Sequence, residues 1–239
     1  MKTLQDYIGK RSAGPGTGRY RPCHHTGNAL SGGRSVSKER EDGNIMGKIY
    51  YVMGKSASGK DTIYKRLVKE LPELGTVRMY TTRPIRDGET NGVEYIFTDE
   101  KQLQTMKDAG KVIECRTYDT IYGPWSYFTA DDGQVDLENA DYLGIGTLES
   151  YVKMREYYGK ENVCPVYIEV EDGERLARAL KRERGQEIPR YEEMCRRFLA
   201  DAEDFSEENL ERAGIKRRFQ NIDKETCMEE ILREINVNL

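Results

Sequence analysis

Residues 54–61 constrain what this chain can fold into more than any other segment. Their sequence is Gly-Lys-Ser-Ala-Ser-Gly-Lys-Asp, with an apolar run at residues 49–53 before it and a helical pattern at residues 62–71 after it. A glycine-bounded loop between a strand and a helix start can wrap its backbone N–H groups around a polyphosphate, and the helix N-terminus adds partial positive charge. We call residues 54–61 the phosphate loop. Lys60 is placed to reach the outer phosphates.

Asp61 is the one departure from the pattern G-x-x-x-x-G-K-[ST]. The usual hydroxyl at that position binds Mg²⁺. A carboxylate is also a hard oxygen ligand of the kind that Mg²⁺ prefers, so Asp61 is a predicted metal ligand. Thr62 points about 100° away around the helix and is a poor substitute. The alternative is a glycine-rich turn that binds no ligand, which Lys60 and the strand–loop–helix context disfavour.

The charge and cysteine patterns exclude several classes of protein. The chain has 38 basic and 42 acidic residues, and residues 1–46 hold eight of the basic and four of the acidic ones. Residues 47–239 therefore carry about eight net negative charges, which argues against a nucleic-acid binder and suits a small-molecule enzyme. The five cysteines form no C-x-x-C pair, so we predict neither a zinc site nor a redox motif. Their odd number and the lack of a signal-peptide pattern predict that the protein works in a reducing cytoplasm. No apolar run approaches the length of a membrane span.

The chain divides into a leader and a domain. Residues 1–46 are rich in glycine, lack periodicity and are predicted to be a disordered leader. From residue 47, strands alternate with helices, which predicts an α/β fold with a parallel sheet flanked by helices. The predicted strands are 47–53, 77–80, 141–145, 163–170 and 215–220. The predicted helices are 60–71, 148–158, 173–184, 191–213 (with a break near residue 205) and 225–235. Residues 83–129 interrupt this alternation as an inserted lobe, with strand candidates at 94–97, 111–116 and 127–129 and a helix near 100–109.

A second group of polar residues lies at positions 80–95. Arg83 and Arg86 stand three apart in a Pro/Gly-rich loop, where two guanidinium groups can grip one phosphate from two sides. The run T-T-R-P-I-R-D-G-E-T-N-G-V-E-Y resembles the signature of the guanylate kinase family of P-loop nucleoside monophosphate kinases. The resemblance covers residues 47–239 and implies a three-layer P-loop kinase fold with an acceptor-binding lobe and a helical lid at about residues 184–197.

The resemblance implies an acceptor site. The residues that match the family's phosphate-binding arginines and tyrosines are Arg83, Arg86, Tyr95 and Tyr122, and Glu114 matches the glutamate that binds guanine. Other family positions differ, because two serine or threonine positions fall on Met79 and Pro124 and two strand-end aspartates fall on Gly144 and Gly146. A missing hydrogen-bond partner typically costs about 1–3 kcal/mol, so the choice of base is expected to be looser.

The resemblance also implies a donor site. Arg184 and Arg197 match the lid arginines best, Arg178 matches less well, and Asn221 falls where the family contacts adenine. The acidic run at residues 201–211 is interpreted as a solvated helix face. The predicted ATP-binding residues are Gly54, Lys55, Ser56, Ala57, Ser58, Gly59, Lys60, Asp61, Thr62 and Asn221. The predicted catalytic residues are Lys60, Arg83, Arg184 and Arg197.

The implied reaction is ATP-dependent phosphorylation of a nucleoside monophosphate, GMP to GDP, with Mg²⁺ and with small-molecule nucleotides as the partners, without nucleic acid or membrane. Two alternatives remain open. The ribose 1,5-bisphosphate phosphokinase family also carries Gly-Lys-Asp in its loop and lacks the strand-end aspartates, although the acceptor signature here is fuller. A catalytically silent guanylate-kinase-like binding module is the other, and Lys60 argues against it.

Overall fold

The structure is a computed structural model that describes residues 20–22, 46–86, 88–120 and 123–238. Tyr122 and all of the predicted leader except residues 20–22 and 46 lie outside the described residues. The described chain forms two compact units. The smaller unit contains the strand at residues 20–22 together with residues 79–130, and the larger unit contains the rest.

The larger unit is built on a five-stranded parallel sheet in the order β10-β9-β2-β8-β3. These strands are β2 (Ile49–Met53), β3 (Gly75–Thr76), β8 (Tyr142–Gly146), β9 (Val163–Glu169) and β10 (Phe219–Gln220). All five residues of β2 are buried, as a central parallel strand covered on both faces requires. β8 and β3 lie on one side of β2, and β9 and β10 lie on the other. In parallel sheets that extend in both directions from a first strand, ligands bind at the carboxyl ends of the strands.

Helices cover both faces of this sheet. They are α1 (Lys60–Glu70), α3 (Leu148–Tyr158), α4 (Asp172–Arg184), α5 (Tyr191–Asp204), α6 (Glu207–Arg212) and α7 (Lys224–Asn238). On one face, Tyr50 and Val52 pack in a cluster with Leu67 of α1 and Ile231 of α7. On the other face the ring of Tyr51 lies 6.2 Å from that of Tyr151 in α3. This three-layer arrangement confirms the predicted α/β P-loop kinase fold.

The smaller unit has its own five-stranded sheet, in the order β1-β6-β7-β4-β5. The strands are β1 (Tyr20–Pro22), β4 (Tyr80–Thr81), β5 (Ile96–Phe97), β6 (Val112–Thr120) and β7 (Gly123–Ala130). Helix α2 (Glu100–Asp108) begins after Asp99, whose side chain accepts a hydrogen bond from the Gln102 backbone N–H. Leu103 of α2 packs on Tyr80, Phe128 and Ala130. The predicted inserted lobe, residues 83–129, falls inside this unit.

Several predicted strands are wrong in extent. The strands predicted at 111–116 and 127–129 are longer and form Val112–Thr120 and Gly123–Ala130. Residues 77–80 were expected to form one strand, but the chain there leaves one sheet and enters the other, so β3 ends at Thr76 and β4 begins at Tyr80. Residues 215–220 were expected to be a strand, but only Phe219–Gln220 pairs, with residues 168 and 169 of β9.

The break predicted near residue 205 in the helix at 191–213 is confirmed. Phe205 stacks on Tyr167 at 5.6 Å, and Ser206 starts α6 by accepting from the Asn209 backbone N–H. Within the segment interpreted as a disordered leader, Tyr20–Pro22 forms β1 and pairs antiparallel with β6. No helix in the described ranges is long and apolar enough to cross a membrane.

Tyr51 explains the glycines at the end of β8. A Cβ at Gly144 would lie 2.6 and 2.9 Å from two carbons of the Tyr51 ring, and a Cβ at Gly146 would collide with the Tyr51 hydroxyl. Tyr51 is 1% exposed, and its hydroxyl donates to Ser150 Oγ at 2.9 Å. The ring therefore occupies the space that side chains on the last residues of β8 would need.

We predict that Gly144→Ala lowers the free energy of unfolding by about 1–3 kcal/mol, because the new methyl group overpacks a filled site. The loss should shrink when the same change is made in a Tyr51→Leu background, which removes the ring. Urea denaturation of the four proteins in this cycle measures the coupling. Gly185→Ala is the control, since its Cβ would have no neighbour closer than 3.5 Å. Equal effects at positions 144 and 185 would contradict the packing argument.

Candidate active site

The phosphate loop follows β2 directly and ends in the first turn of α1. Its backbone turns through two left-handed residues, Ala57 with φ 64° and Gly59 with φ 88°. The Ser58 N–H donates to the Lys55 carbonyl at 3.1 Å, which closes the loop. Gly59 is the residue before the helix, so the free N–H groups of the first turn of α1 begin at the end of the loop. This is the geometry that binds phosphate at a helix N-terminus.

Close packing requires both glycines of the loop. A Cβ at Gly54 would lie 2.5 Å from the Ile168 carbonyl oxygen and 2.7 Å from Ser58 Oγ, and a Cβ at Gly59 would collide with the Asn221 side chain. Asn221 is 5% exposed and donates from Nδ2 to the Ser58 carbonyl at 2.7 Å. The structure therefore places this predicted adenine contact against the phosphate loop, where it braces the backbone. Ser58 Oγ is the one buried side-chain polar atom, among the described residues, without a hydrogen-bond partner.

Lys60 and Asp61 lie at the start of α1 and face each other. Lys60 Nζ donates to Asp61 Oδ2 at 3.2 Å, and the two side chains are 23% and 76% exposed. Thr62 is exposed on the next position of the helix. Both charged groups of the loop's helical end are thus accessible to an added ligand, and the carboxylate adjoins the lysine predicted to bind phosphate.

Arg83, in the smaller unit, is held on all sides. Its guanidinium donates to Glu89 at 2.8 and 2.6 Å and to the Pro84 carbonyl at 2.8 Å, and it lies 5.3 Å from the ring centres of both Tyr95 and Phe97. Arg83 is 3% exposed. The hydrogen bonds from Arg83 lower the pKa of Glu89 from 4.5 to about 2, so this pair is fully ionised at neutral pH. Arg83, a predicted phosphate ligand, therefore also holds together the segment from Arg83 to Glu89.

The other predicted phosphate-binding residues have different surroundings. Arg86 is exposed, and its backbone N–H donates to Glu89 at 2.8 Å. Tyr95 is half-buried, with its ring edge-on to Tyr127 at 5.7 Å. Tyr122 lies outside the described residues. Glu89 therefore joins Arg83 and Arg86 through one carboxylate, and the structure brings Arg83 and Tyr95 into direct contact.

Glu114, the predicted guanine ligand, is part of a buried ion pair. Arg116 donates to it from Nε at 3.0 Å, and Thr129 Oγ1 donates to its other oxygen at 3.0 Å. Glu114 and Arg116 are both 5% exposed. Arg116 Nη2 also lies 3.4 Å from the sulfur of Met79, the residue at one of the missing serine positions. Both carboxylate oxygens are thus engaged by protein donors.

The lid arginines divide into two groups. Arg178 donates to Glu174 at 2.9 Å and to the Asn221 carbonyl at 3.1 Å, so it lies beside the residue that braces the phosphate loop. Arg184 is exposed at the end of α4, and Arg197, 58% exposed, donates to Glu193 at 2.8 Å. Hydrogen bonds from Arg196 and then Arg197 hold the pKa of Glu193 at about 2, net of an opposing effect of burial.

Comparison with known proteins places this geometry in a family. The family model described as guanylate kinase matches residues 46–127. A guanylate kinase from Legionella pneumophila is 37% identical over 78 residues, 32% of this chain and 37% of that protein, so the chain spans well under half of its length. A guanylate kinase from Symbiobacterium thermophilum is 32% identical over 168 residues, 69% of this chain and 74% of that protein. This chain belongs to the guanylate kinase family.

A solved structure supports the fold of this guanylate kinase family member. The crystal structure of guanylate kinase from Anaplasma phagocytophilum matches with a TM-score of 0.54 at 19% identity, and the match covers 81% of this chain and 87% of that chain. The likeness extends well beyond the residues of the family model. It confirms the P-loop kinase fold that the strand–loop–helix pattern predicts.

Sequence reasoning missed three charged residues of this family member. Arg116 pairs with Glu114, while Arg175 and Asp201 bind the phosphate loop. The interpretation of residues 201–211 as a solvated face is wrong for Asp201, whose carboxylate is 16% exposed and accepts from the Ser56 N–H at 2.7 Å. Only Arg116 had a sequence signal, since residues two apart on a strand share a face and Glu114 is two residues away.

We predict that Arg116→Met lowers the free energy of unfolding by about 3–5 kcal/mol, because it leaves the Glu114 carboxylate buried without its cation. Replacing both members, as in Glu114→Met with Arg116→Met, should recover most of the loss. Chemical denaturation measures both effects. Arg212→Met is the matched control, since Arg212 pairs with Glu208 on the surface at 69% exposure and should contribute little. If Arg116→Met lowers the free energy of unfolding no more than Arg212→Met does, the Glu114–Arg116 pair does not stabilise the lobe.

Proposed function

We propose that this protein is an ATP-dependent kinase that transfers the γ-phosphoryl group to a phosphate oxygen of a nucleoside monophosphate, GMP being the favoured acceptor. The observation that carries the proposal is the phosphate loop. It combines a left-handed Gly59, the free N–H groups of α1 and a partly exposed Lys60 in one segment. Membership of the guanylate kinase family supports the choice of acceptor.

Such a reaction needs positioning and neutralisation of charge more than it needs a protein nucleophile. The backbone N–H groups of the phosphate loop and the Lys60 ammonium group would hold the β- and γ-phosphates of ATP. Lid arginines would neutralise the negative charge on the transferred phosphoryl group, and Arg184 and Arg197 are both exposed, on α4 and α5. Arg178, next to Asn221, would act closer to the phosphate loop.

The residues present fit a magnesium ion held mainly by phosphate. Mg²⁺ usually takes one or two protein carboxylates and completes its shell with phosphate oxygens and water. Among the described residues no cluster of three or more His, Cys, Asp or Glu side chains forms a separate metal site. Asp61 would hold the ion, because it is 76% exposed and adjoins Lys60. When bound, the ion neutralises charge on the β- and γ-phosphates.

On the acceptor side, the exposed side chain of Arg86 is the direct phosphate ligand in this proposal, together with the Tyr95 hydroxyl. Arg83, at 3% exposure, would hold the conformation of residues 83–89 through its bonds to Pro84 and Glu89. The carboxylate of Glu89 links Arg83 to Arg86, since it accepts hydrogen bonds from the Arg83 side chain and from the Arg86 backbone N–H. An acceptor phosphate would thus meet a loop whose shape is already set.

The Glu114–Arg116 pair favours a second candidate acceptor. Guanine recognition by a carboxylate needs oxygens that can accept from the base, and both Glu114 oxygens already accept from Arg116 or Thr129. An acceptor that is bound through phosphate alone, such as ribose 1,5-bisphosphate, makes no such demand. The two candidates therefore differ in how much they need Glu114.

We predict ADP release with GMP and dGMP at rates well above those with AMP and ribose 1,5-bisphosphate, measured by a coupled assay on the full chain. Lys60→Met should abolish turnover with every acceptor, by about 100-fold or more, because the transferred phosphate loses its principal cation. A higher rate with ribose 1,5-bisphosphate than with GMP would replace the favoured acceptor. No ADP release with any acceptor would show a binding module in place of an enzyme.

We predict that Asp61→Ala raises the Mg²⁺ concentration needed for half-maximal activity by about ten-fold, because a direct or water-mediated ligand is lost. Asp61→Ser, which supplies the hydroxyl usual at this position, should fall between Asp61→Ala and the natural protein. Glu73→Ala, at an exposed acid outside the phosphate loop, is the control. Unchanged Mg²⁺ dependence in Asp61→Ala would remove Asp61 from the metal site.

A further inference from the structure

Arg175 is an arginine with no exposed surface. It lies in the first turn of α4 and is 0% exposed. A guanidinium group stays charged at any pH that proteins tolerate, and a buried charge is tolerable only when it is paired and hydrogen-bonded. The partners of Arg175 therefore show what this charge is for.

Its partners come from three elements. Arg175 donates from Nε and Nη2 to Asp172 Oδ1 at 3.0 and 2.9 Å, and from Nη1 to the Ser56 carbonyl at 2.9 Å. Nη1 also lies 3.4 Å from Asp201 Oδ2 in α5, and the guanidinium packs over the Phe198 ring at 4.5 Å. One buried cation thus joins α4, α5 and the phosphate loop.

Asp201 completes the grip on Ser56. The same oxygen that faces Arg175 accepts from the Ser56 N–H at 2.7 Å. The carbonyl and the N–H of one loop residue are therefore both bound by a single ion pair. Lys55, the preceding residue, donates to Asp172 at 3.3 Å. We call Lys55, Asp172, Arg175 and Asp201 the Arg175 cluster.

The hydrogen bonds from Arg175 and Asp201 to Ser56 lie directly before a strained residue of the phosphate loop. Ala57, directly after Ser56, has φ 64°, a left-handed conformation that a residue with a side chain adopts only under constraint. The N–H groups at the start of α1, to which the proposed function assigns the phosphates of ATP, follow Ala57 in the chain. If Ser56 moved, the direction of these groups would change with it.

We infer that Arg175 and Asp201 are positioning residues of the phosphate loop, which hold its N–H groups in the orientation that binds the phosphates of ATP. The inference rests on the proposed function for the identity of the ligand. It also assigns a mechanical role to α4 and α5. The Arg175 cluster joins the early part of α4 to the late part of α5, and Arg184 lies nine residues further along α4, about 14 Å at 1.5 Å per residue. The lid segment between the helices is therefore anchored at its base to the loop that it serves.

Two variants test the inference. Arg175→Met removes the cation, and Asp201→Ala removes the acceptor of the Ser56 N–H together with one of the two carboxylates that face Arg175. Each should speed hydrogen exchange in a peptide covering residues 54–60 by about ten-fold without nucleotide, and weaken ATP binding in calorimetry by a similar factor. KM for ATP should rise while KM for the acceptor changes less than two-fold.

Arg155→Met is the matched control. Arg155 also packs over an aromatic ring, Tyr151 at 5.7 Å, and donates to a backbone carbonyl, that of Ala213, but it does not contact the phosphate loop. It should lower stability and leave exchange in residues 54–60 unchanged. If Arg175→Met fails to fold, Asp201→Ala decides the question.

Two results would overturn the inference: loop exchange at the natural rate in Asp201→Ala, or equal acceleration in Arg155→Met. Failure of the proposed function gives a different pattern. The natural protein would then bind no ATP or phosphorylate no acceptor, while exchange in residues 54–60 would still depend on Arg175 and Asp201 and would support their positioning role.

Discussion

The backbone of the phosphate loop is held by side chains from outside the loop, and the rest of the larger unit is arranged to supply them. Asn221, after β10, binds the Ser58 carbonyl, and the Arg175–Asp201 pair binds both polar groups of Ser56. Two residues of the loop, Ala57 and Gly59, are left-handed, and a residue with a side chain keeps that backbone conformation only where its surroundings hold it. Because each brace comes from a different element of a parallel α/β unit, the loop acquires its shape only when the sheet and its helices have assembled.

In the same unit, the end of β8 carries glycines beside a buried tyrosine of β2. Gly144 and Gly146 stand where the sequence resemblance implies aspartates, and the Tyr51 ring fills the space that their side chains would need. Tyr51 also donates to Ser150, whose hydroxyl caps the start of α3. The large Tyr51 side chain on β2 therefore requires glycine at positions 144 and 146 of β8. Carboxylates on β8 are sterically incompatible with it, which leaves the exposed Asp61 as the acid beside Lys60.

Local patterns made most of the fold predictable. The apolar run of β2, the glycines of the phosphate loop and the alternation of strands with helices depend on neighbours in sequence, and the corresponding elements are confirmed within a few residues. The path between Thr76 and Tyr80 was not predictable in this way, because leaving one sheet for another has no periodic signature. Arg175 was equally hidden: an arginine in a charged helix looks solvated until a partner 26 residues away, Asp201, is known to face it.

Charge pairing in the smaller unit bears on the choice of acceptor. Arg83 pairs with Glu89, and Arg116 pairs with Glu114, so two of the groups expected to meet the acceptor are bound to opposite charges of the same lobe. The two ion pairs differ in the charge and the hydrogen-bonding capacity that remain for a ligand. Beside Glu89 stands Arg86 with an exposed side chain, so positive charge remains for a phosphate. Glu114 has Thr129 as an additional donor, so its capacity to accept from a base is reduced. For the kinase proposed above, these contacts imply that the acceptor's phosphate contributes more to selectivity than its guanine, because Glu114 would have to share its oxygens between Arg116, Thr129 and the base.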